Sequence, residues 1–175
     1  MADAADLLTY VRDIPDWPTP GIMFRDITPM LGDADAFARC VAALAALGGA
    51  AGGVDLVAGI EARGFILAAP VAHQLQAGFV PVRKHGKLPH ETFSEAYSLE
   101  YGEAVLEIHT DAVLPGQRVL VVDDVLATGG TVAATTELIR RAGGDIVGVN
   151  VLIELSALRG RDRNPDLPID SLLVM

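Results

Sequence analysis

The run Val119–Thr131, V-L-V-V-D-D-V-L-A-T-G-G-T, restricts the folds open to this chain more than any other segment. Its opening residues are apolar at consecutive positions, so a strand built from them has two faces to bury. Two acids, Asp123 and Asp124, follow at its carboxyl end. The next residues lead into Gly130–Ala142, a helical pattern with Arg140 and Arg141 in its last turn and Gly143-Gly144 as its stop. A doubly buried strand that feeds straight into a helix is one unit of a parallel sheet flanked by helices.

The rest of the chain repeats that alternation. Asp33 can cap a helix whose Phe37, Cys40, Val41 and Leu44 share one face, with Gly48-Gly49 as its stop. D-L-V-A-G-I and G-F-V-P-V read as strands on either side of a helical F-I-L-A-A, and I-V-G-V-N-V-L-I as a later buried strand. Residues Gly86–Ala96 read as a polar loop, and Tyr97–Ile108 alternates like a hairpin. The expected fold is α/β, with a mainly parallel central sheet flanked by helices. Before Asp33, the Pro-rich P-D-W-P-T-P-G-I-M-F-R-D-I-T-P carries Trp17, Ile22, Met23, Phe24 and Ile27, too apolar for a plain linker.

At 175 residues the chain suits one domain. Hydrophobic residues reach 51%, which raises the question of a membrane span. The longest stretch without a formal charge, Gly64–Val82, contains Pro70, His73, Gln74, Gln76 and Pro81, so no span is expected. The opening M-A-D-A-A-D lacks a signal-peptide pattern, and the lone Cys40 suits a reducing cytoplasm. A net charge of −10 argues against a nucleic-acid surface.

Both lysines of this acidic chain, Lys84 and Lys87, fall in R-K-H-G-K beside Arg83, a local cluster that suits an anion or a solvated loop. In A-T-G-G-T, Ala127–Thr131, the start of a helix offers free N–H groups to an anion. Gly129 and Gly130 let the backbone approach closely, while Thr128 and Thr131 add hydroxyls. There is no G-x-x-x-x-G-K-[ST] and no G-x-G-x-x-G after a strand, which leaves a cradle for one phosphate monoester. Asp123 and Asp124 beside it suit sugar hydroxyls or a hydrated magnesium ion. His73, His85, His90 and His109 show no zinc spacing, Cys40 reads as core, and Arg159, Arg161 and Arg163 read as solvated.

The D-D-V-L-A-T-G-G-T motif resembles the phosphoribosyl-pyrophosphate signature of the type I phosphoribosyltransferases. P-T-P-G-I-M-F-R-D-I-T-P, G-I-E-A-R-G-F, V-R-K-H-G-K-L-P, Y-S-L-E-Y-G and L-I-E-L-S-A-L-R-G-R look like successive landmarks of the adenine-using branch of that family. They keep the family's order from about residue 7 to residue 163.

The resemblance implies transfer of a phosphoribosyl group from 5-phosphoribosyl 1-pyrophosphate to adenine, giving AMP and pyrophosphate in purine salvage. It implies the family fold over 1–175, with an N-terminal hood in 1–32 and a flexible loop and hairpin in 84–103. Ala127–Thr131 (Ala127, Thr128, Gly129, Gly130, Thr131) would hold the 5′-phosphate, and Asp123 and Asp124 the ribose hydroxyls. Arg63, Arg83, Lys84 and Lys87 would neutralise pyrophosphate, with Lys87 on a mobile loop that serves its own or a neighbouring subunit. Ala62 would present its backbone N–H there, in a turn that in this family often holds a non-proline cis peptide.

Phe24 would stack on adenine with Val125 opposite, while backbone groups of Met23 and Arg25 read its edge. Glu100 would face purine N7 and Tyr101 would close over the site. By composition alone Phe24 reads as core and Arg63 as a surface ion-pair residue. Mg²⁺ would be held mainly by substrate, with no direct protein metal site, and a homodimer is implied. Trp17 stands where phenylalanine is common, Val125 for leucine and Ala62 for serine, which touches the shape of the purine pocket. Two alternatives stay open: a same-fold enzyme for hypoxanthine, guanine or orotate, and a phosphoribosyl-pyrophosphate-binding regulator of transcription. The latter wants a basic DNA-binding segment, which the acidic first 20 residues lack.

Overall fold

Val119, Val121, Leu120 and Val122 are all fully buried, and the strand they belong to runs through the middle of the sheet. The computed structural model describes residues 4–49, 52–98 and 103–175. After an opening 3₁₀ turn, Ala4–Tyr10, its elements are β1 (Arg12–Ile14), β2 (Phe24–Asp26), α1 (Thr28–Gly32), α2 (Ala34–Gly49) and β3 (Leu56–Ile60). Next come α3 (Arg63–Leu75), β4 (Gly78–Lys84), β5 (Thr92–Ser98), β6 (Glu103–His109) and β7 (Arg118–Leu126). The chain ends with α4 (Gly130–Ala142), β8 (Asp145–Glu154) and β9 (Ile169–Val174).

Among the described residues a seven-stranded sheet has the order β5-β6-β4-β3-β7-β8-β9. The pairs from β4 through β9 are parallel, while β6 joins β4 and β5 antiparallel. Side chains alternate across it. Val57, Leu120, Val122 and Leu152 pack with Cys40, Leu44, Leu67 and Val71 of α2 and α3. Ala58, Val119, Val121 and Val151 pack on the other face with Leu138 and Ile139 of α4. Each face thus gains the cover that a doubly apolar strand requires.

The strand order reverses between β3 and β7: β3 leads outward to β4, β7 the other way to β8. A crevice at such a switch point, beyond the carboxyl ends of the strands, is where open α/β sheets bind ligands. Pairing of β3 with β7 stops at Gly59↔Val122, whereas β7 continues beside β8 to Leu126↔Glu154. Asp123 and Asp124 therefore stand beyond the last residue of β7 that β3 pairs, on the wall of that crevice.

Two sequence expectations are corrected here. Thr92–Ala96 is not loop but the first part of β5, paired with β6 from Thr92↔His109 onward. Phe93 and Tyr97, four residues apart on one face of the strand, pack against the core, while Ser94 and Ala96 stay exposed. Arg161 is not simply solvated: its guanidinium bonds both oxygens of Glu154 and the Ile169 carbonyl. Strand β9, for which the periodicity carries no signal, closes the far edge. Cys40 is buried as expected, and its apolar surroundings push the thiol up to about 12.

The N-terminal segment is a β1–β2 ribbon with its roots in the core. Leu7, Ile27 and Met30 are buried with α2. Asp26 fastens the base of the ribbon: it accepts the Thr28 backbone N–H at 2.9 Å and bonds Arg12 at 2.6 Å. Those bonds hold its carboxyl below the usual range against the opposing effect of burial.

Candidate active site

An apolar cavity of about 410 Å³ opens between the ribbon and the sheet. Met23, Phe24 and Arg25 line one side and Val125, Ala127 and Thr128 the other. Trp17 meets Phe24 edge-on, with ring centroids 4.3 Å apart. Ile22, Leu155 and Leu158 complete the wall. Of these, Ile22 belongs to the apolar N-terminal segment marked in the sequence, whereas Leu155 and Leu158 were not singled out there. Leu155 and Leu158 lie in L-I-E-L-S-A-L-R-G-R, where position in the landmark order is the only signal and composition does not separate a cavity wall from core.

A more polar cavity of about 420 Å³ adjoins it, lined by Glu61, Ala62, Arg63, Lys84, Tyr97, Asp123, Asp124 and Thr131 among others. Arg63, Val125 and Ala127 border both spaces. Arg63 spans the boundary: its guanidinium is 2.8 Å from Asp124 Oδ2, donates to the Arg25 carbonyl at 3.4 Å and lies 4.8 Å from the Phe24 ring centroid. The first turn of α3 comes close to the acids because residue 64 is glycine. A Cβ there would sit 2.7 Å from Asp123 Oδ1.

Burial is the main reason that Asp123 holds its proton well above the ordinary range, with the neighbouring charge of Asp124 adding to it. Asp124 is also raised by burial, opposed by Arg63. Asp124 Oδ2 is enclosed and has the Arg63 ion pair but no hydrogen bond of good geometry. An under-satisfied hard oxygen on Asp124, beside the Asp123 carboxyl at a cavity wall, suits a cation such as Mg²⁺ or ligand hydroxyls.

The A-T-G-G-T turn enters α4 with Gly129 in the left-handed region, φ 79°, and no side chain caps the helix. With no side-chain cap, the N-terminal amides remain for an anion. Gly129 and Gly130 are buried, while Thr128 is exposed at the apolar cavity and Thr131 lines the polar one.

Arg83, Lys84 and Lys87 come together, yet on a side chain that the sequence did not mark. Glu61 bonds Lys87 Nζ, accepts the Lys84 backbone N–H at 3.0 Å and lies 3.5 Å from Arg83 Nε. Arg83 also donates to the Lys87 carbonyl at 2.9 Å. Burial works against the charge on Glu61, but these cationic and N–H partners outweigh it and hold its carboxyl below the usual range. The Glu61–Ala62 peptide is cis. The buried Glu107 steadies the same turn through His85 Nδ1 at 2.6 Å and the Gly86 N–H at 2.9 Å. Glu100 and Tyr101 lie outside the described residues.

A sequence profile of the phosphoribosyl transferase domain matches residues 30–173. The adenine phosphoribosyltransferase of Thermobifida fusca is 59% identical over 165 residues, 93% of this chain and 92% of that one. That of Acidothermus cellulolyticus is 58% identical over 173 residues, covering 98% and 97%. Among solved structures, the adenine phosphoribosyltransferase of Rhodothermus marinus superposes with a TM-score of 0.94 at 49% identity, over 99% of this chain and 98% of that one. The Saccharomyces cerevisiae enzyme, crystallised with an imino-altritol bisphosphate and adenine, gives 0.94 at 35% identity over 98% and 99%.

Proposed function

The chain belongs to the phosphoribosyl transferase family, among its adenine phosphoribosyltransferases, and from that membership we propose how its residues divide the work. It is a pentosyl-transferring enzyme of purine salvage, converting adenine and 5-phosphoribosyl 1-pyrophosphate to AMP and pyrophosphate. The observation that carries the assignment of roles is the pair of adjoining cavities, one apolar and one lined by acids and cations, that meet at Arg63, Val125 and Ala127.

Adenine lies in the apolar cavity, stacked on Phe24 with Val125 opposite, its edge read by backbone groups of Met23 and Arg25. Ala127–Thr131 takes the 5′-phosphate on the N-terminus of α4. Asp123 and Asp124 accept from the ribose hydroxyls. Arg63, Ala62 N–H, Arg83, Lys84 and Lys87 face the pyrophosphate, for which Lys87 and Arg83 turn away from Glu61. N9 of adenine bonds to C1 of the ribose as the C1–O bond to pyrophosphate breaks, and the leaving oxygens carry away the electron pair. No protein nucleophile is required; alignment and neutralisation of the leaving charge are. The ring proton of adenine, carried on N7 when N9 is free to attack, is shared with and passes toward Glu100 as positive character develops on the purine.

Mg²⁺ would be held mainly by the substrate's own oxygens, with no direct protein ligand, and Asp123 and Asp124 would face it from the wall of the polar cavity. When bound, the ion neutralises pyrophosphate charge. The single-domain division, with a hood in 1–32 and a covering loop and hairpin in 84–103, belongs to the same reading. A homodimer does too: Phe65 and Phe79 pack edge to face at 5.8 Å beside the exposed Ile66, an apolar patch that a second copy would cover. A cytoplasmic location rests on the lone buried Cys40.

The test is product formation with a panel of adenine, hypoxanthine, guanine and orotate, each with phosphoribosyl pyrophosphate and Mg²⁺. AMP and pyrophosphate in equal amounts, from adenine alone, is the expected result. Turnover of an oxopurine or orotate in preference to adenine overturns the base assignment.

A further inference from the structure

Gly129, the pivot of the A-T-G-G-T turn, is enclosed by a segment that none of the roles above includes. A Cβ at Gly129 would stand 2.3 Å from the Gly160 carbonyl oxygen and 2.6 Å from Asn164 Nδ2. A Cβ at Gly160 would stand 2.4 Å from the Ala127 carbonyl oxygen. The two backbones lie as close as glycine allows, so the position of one dictates the position of the other.

Asn164 ties them together. It is only 6% exposed, and its Nδ2 donates to the Gly129 carbonyl at 3.1 Å and to the Gly160 carbonyl at 3.1 Å. Both neighbours are acceptors, so the amide nitrogen and not its oxygen must face them, and its two N–H bonds are both used. The Gly129 carbonyl also accepts the Ala133 N–H at 3.0 Å, the first bond of α4. With both lone pairs engaged, that carbonyl cannot rotate. In a trans peptide the next N–H points opposite to the carbonyl, so the Gly130 N–H is aimed outward, away from the helix.

The segment that carries Asn164 is itself anchored. Arg161 bonds both Glu154 oxygens at 2.7 Å, the Ile169 carbonyl at 2.6 Å and Ser171 Oγ at 3.1 Å. The Asn164 N–H returns to the Arg161 carbonyl at 2.8 Å. Strands β8 and β9 therefore brace the turn through Arg161, and the turn braces Gly129 through Asn164.

We propose that Asn164 is a positioning residue for the sugar-phosphate: through the Gly129 carbonyl it holds the Gly130 N–H in line for the 5′-phosphate. The inference rests on the reading of Ala127–Thr131 as the phosphate turn. It assigns no contact between Asn164 and substrate.

Two variants test it. Asn164→Leu removes both donors and keeps the branching and heavy-atom count of the side chain. Asn164→Asp keeps the shape but has a donor only while its carboxyl is protonated. Losing a hydrogen bond of this kind shifts an equilibrium by roughly tenfold. Asn164→Leu should therefore raise KM for phosphoribosyl pyrophosphate about tenfold, with KM for adenine within about twofold and kcat within about threefold. For Asn164→Asp the same KM penalty should shrink as pH falls, relative to the unsubstituted protein at each pH, because protonation restores a donor. A brace with no bearing on phosphate would give neither the selectivity nor the pH dependence. An unchanged KM, equal rises in both KM values, or an Asn164→Asp penalty that is flat with pH overturns the inference. Should Asn164→Leu fail to fold, the Asn164→Asp pH profile decides alone. The underlying reading has its own control: ribose 5-phosphate should shift the Gly130 amide resonance of the unsubstituted protein. No shift there overturns the phosphate turn itself, and the role of Asn164 with it.

Discussion

Arg63 and Asp124 form an ion pair, 2.8 Å from guanidinium nitrogen to Oδ2, on the wall shared by the apolar and the polar cavity. The same guanidinium reaches the Arg25 carbonyl and the Phe24 ring, so one side chain ties the apolar cavity to the acid pair. Charge-assisted hydrogen bonds contribute about 1.5–3 kcal/mol each. Arg63→Ala should lower kcat/KM by roughly ten- to a hundredfold. Arg63→Lys should recover little, because an ammonium lacks the planar fork that serves several partners at once. Steady-state kinetics on both variants check this; near-normal turnover by Arg63→Ala would remove the residue from the pyrophosphate site.

The acid pair sets function against stability. Both carboxyls titrate above the ordinary range in the folded protein, chiefly through burial. A group raised in this way favours the fold below the ordinary aspartate value, and that contribution is lost as pH rises through the raised one. At neutral pH the pair is therefore a cost. Asp123→Asn removes one charge and keeps an oxygen for the Asp124 N–H that Asp123 Oδ1 accepts at 2.9 Å. Its melting temperature near neutral pH should exceed that of the unsubstituted protein by several degrees, since about 1 kcal/mol is worth roughly 2–4 °C at this size. The gap should close as pH falls toward the ordinary carboxylate range, and turnover should be largely lost. Calorimetry across pH is the measurement. A lower melting temperature at neutral pH contradicts the account.

Glu61 occupies the cations that pyrophosphate would need. Lys87 is about half exposed in its ion pair with Glu61, so the pair is worth about 0.2–1 kcal/mol after screening. Glu61→Gln retains an acceptor for the Lys84 N–H and releases the ammonium. Titration calorimetry should show pyrophosphate binding up to about fivefold tighter. Weaker binding would mean that Glu61 orients the cations and does not compete for them.

Glu100 rests on the family resemblance alone. Proton sharing of the kind assigned to it is worth typically 10²–10⁴-fold. Glu100→Leu should reduce kcat by about that factor, with phosphoribosyl-pyrophosphate binding little changed, and Glu100→Gln should keep more activity because an amide still bonds to N7. If Glu100→Leu holds kcat within about twofold, the residue has no catalytic part.

What the sequence makes legible is local. Val119–Asp124 declares a central strand because both of its faces are apolar, and α4 begins and ends where Gly130 and Gly143 mark it. The grouping of Arg83, Lys84 and Lys87 shows in composition, since no lysine lies elsewhere. Their shared partner does not: Glu61 is 26 residues from Lys87, and only the parallel pairing of β3 with β4 brings them together. Asn164 is hidden for the same reason, 35 residues from the Gly129 carbonyl that it holds. Thr92–Ala96 escapes because Phe93, its one partly buried aromatic, is outnumbered by polar neighbours on a half-exposed strand.

The β1–β2 ribbon bears on which positions can change. Its roots, Leu7, Ile27 and Met30, are locked in the core, whereas Trp17, Ile22 and Met23 at its far end are exposed. The phosphate turn and the acid pair hang from β7 instead. Substitutions between Ile14 and Phe24 thus leave the turn and the acid pair on β7 undisturbed. On the proposed division of roles, changes at the tip bear on the base and leave the pentose groups on the sheet in place.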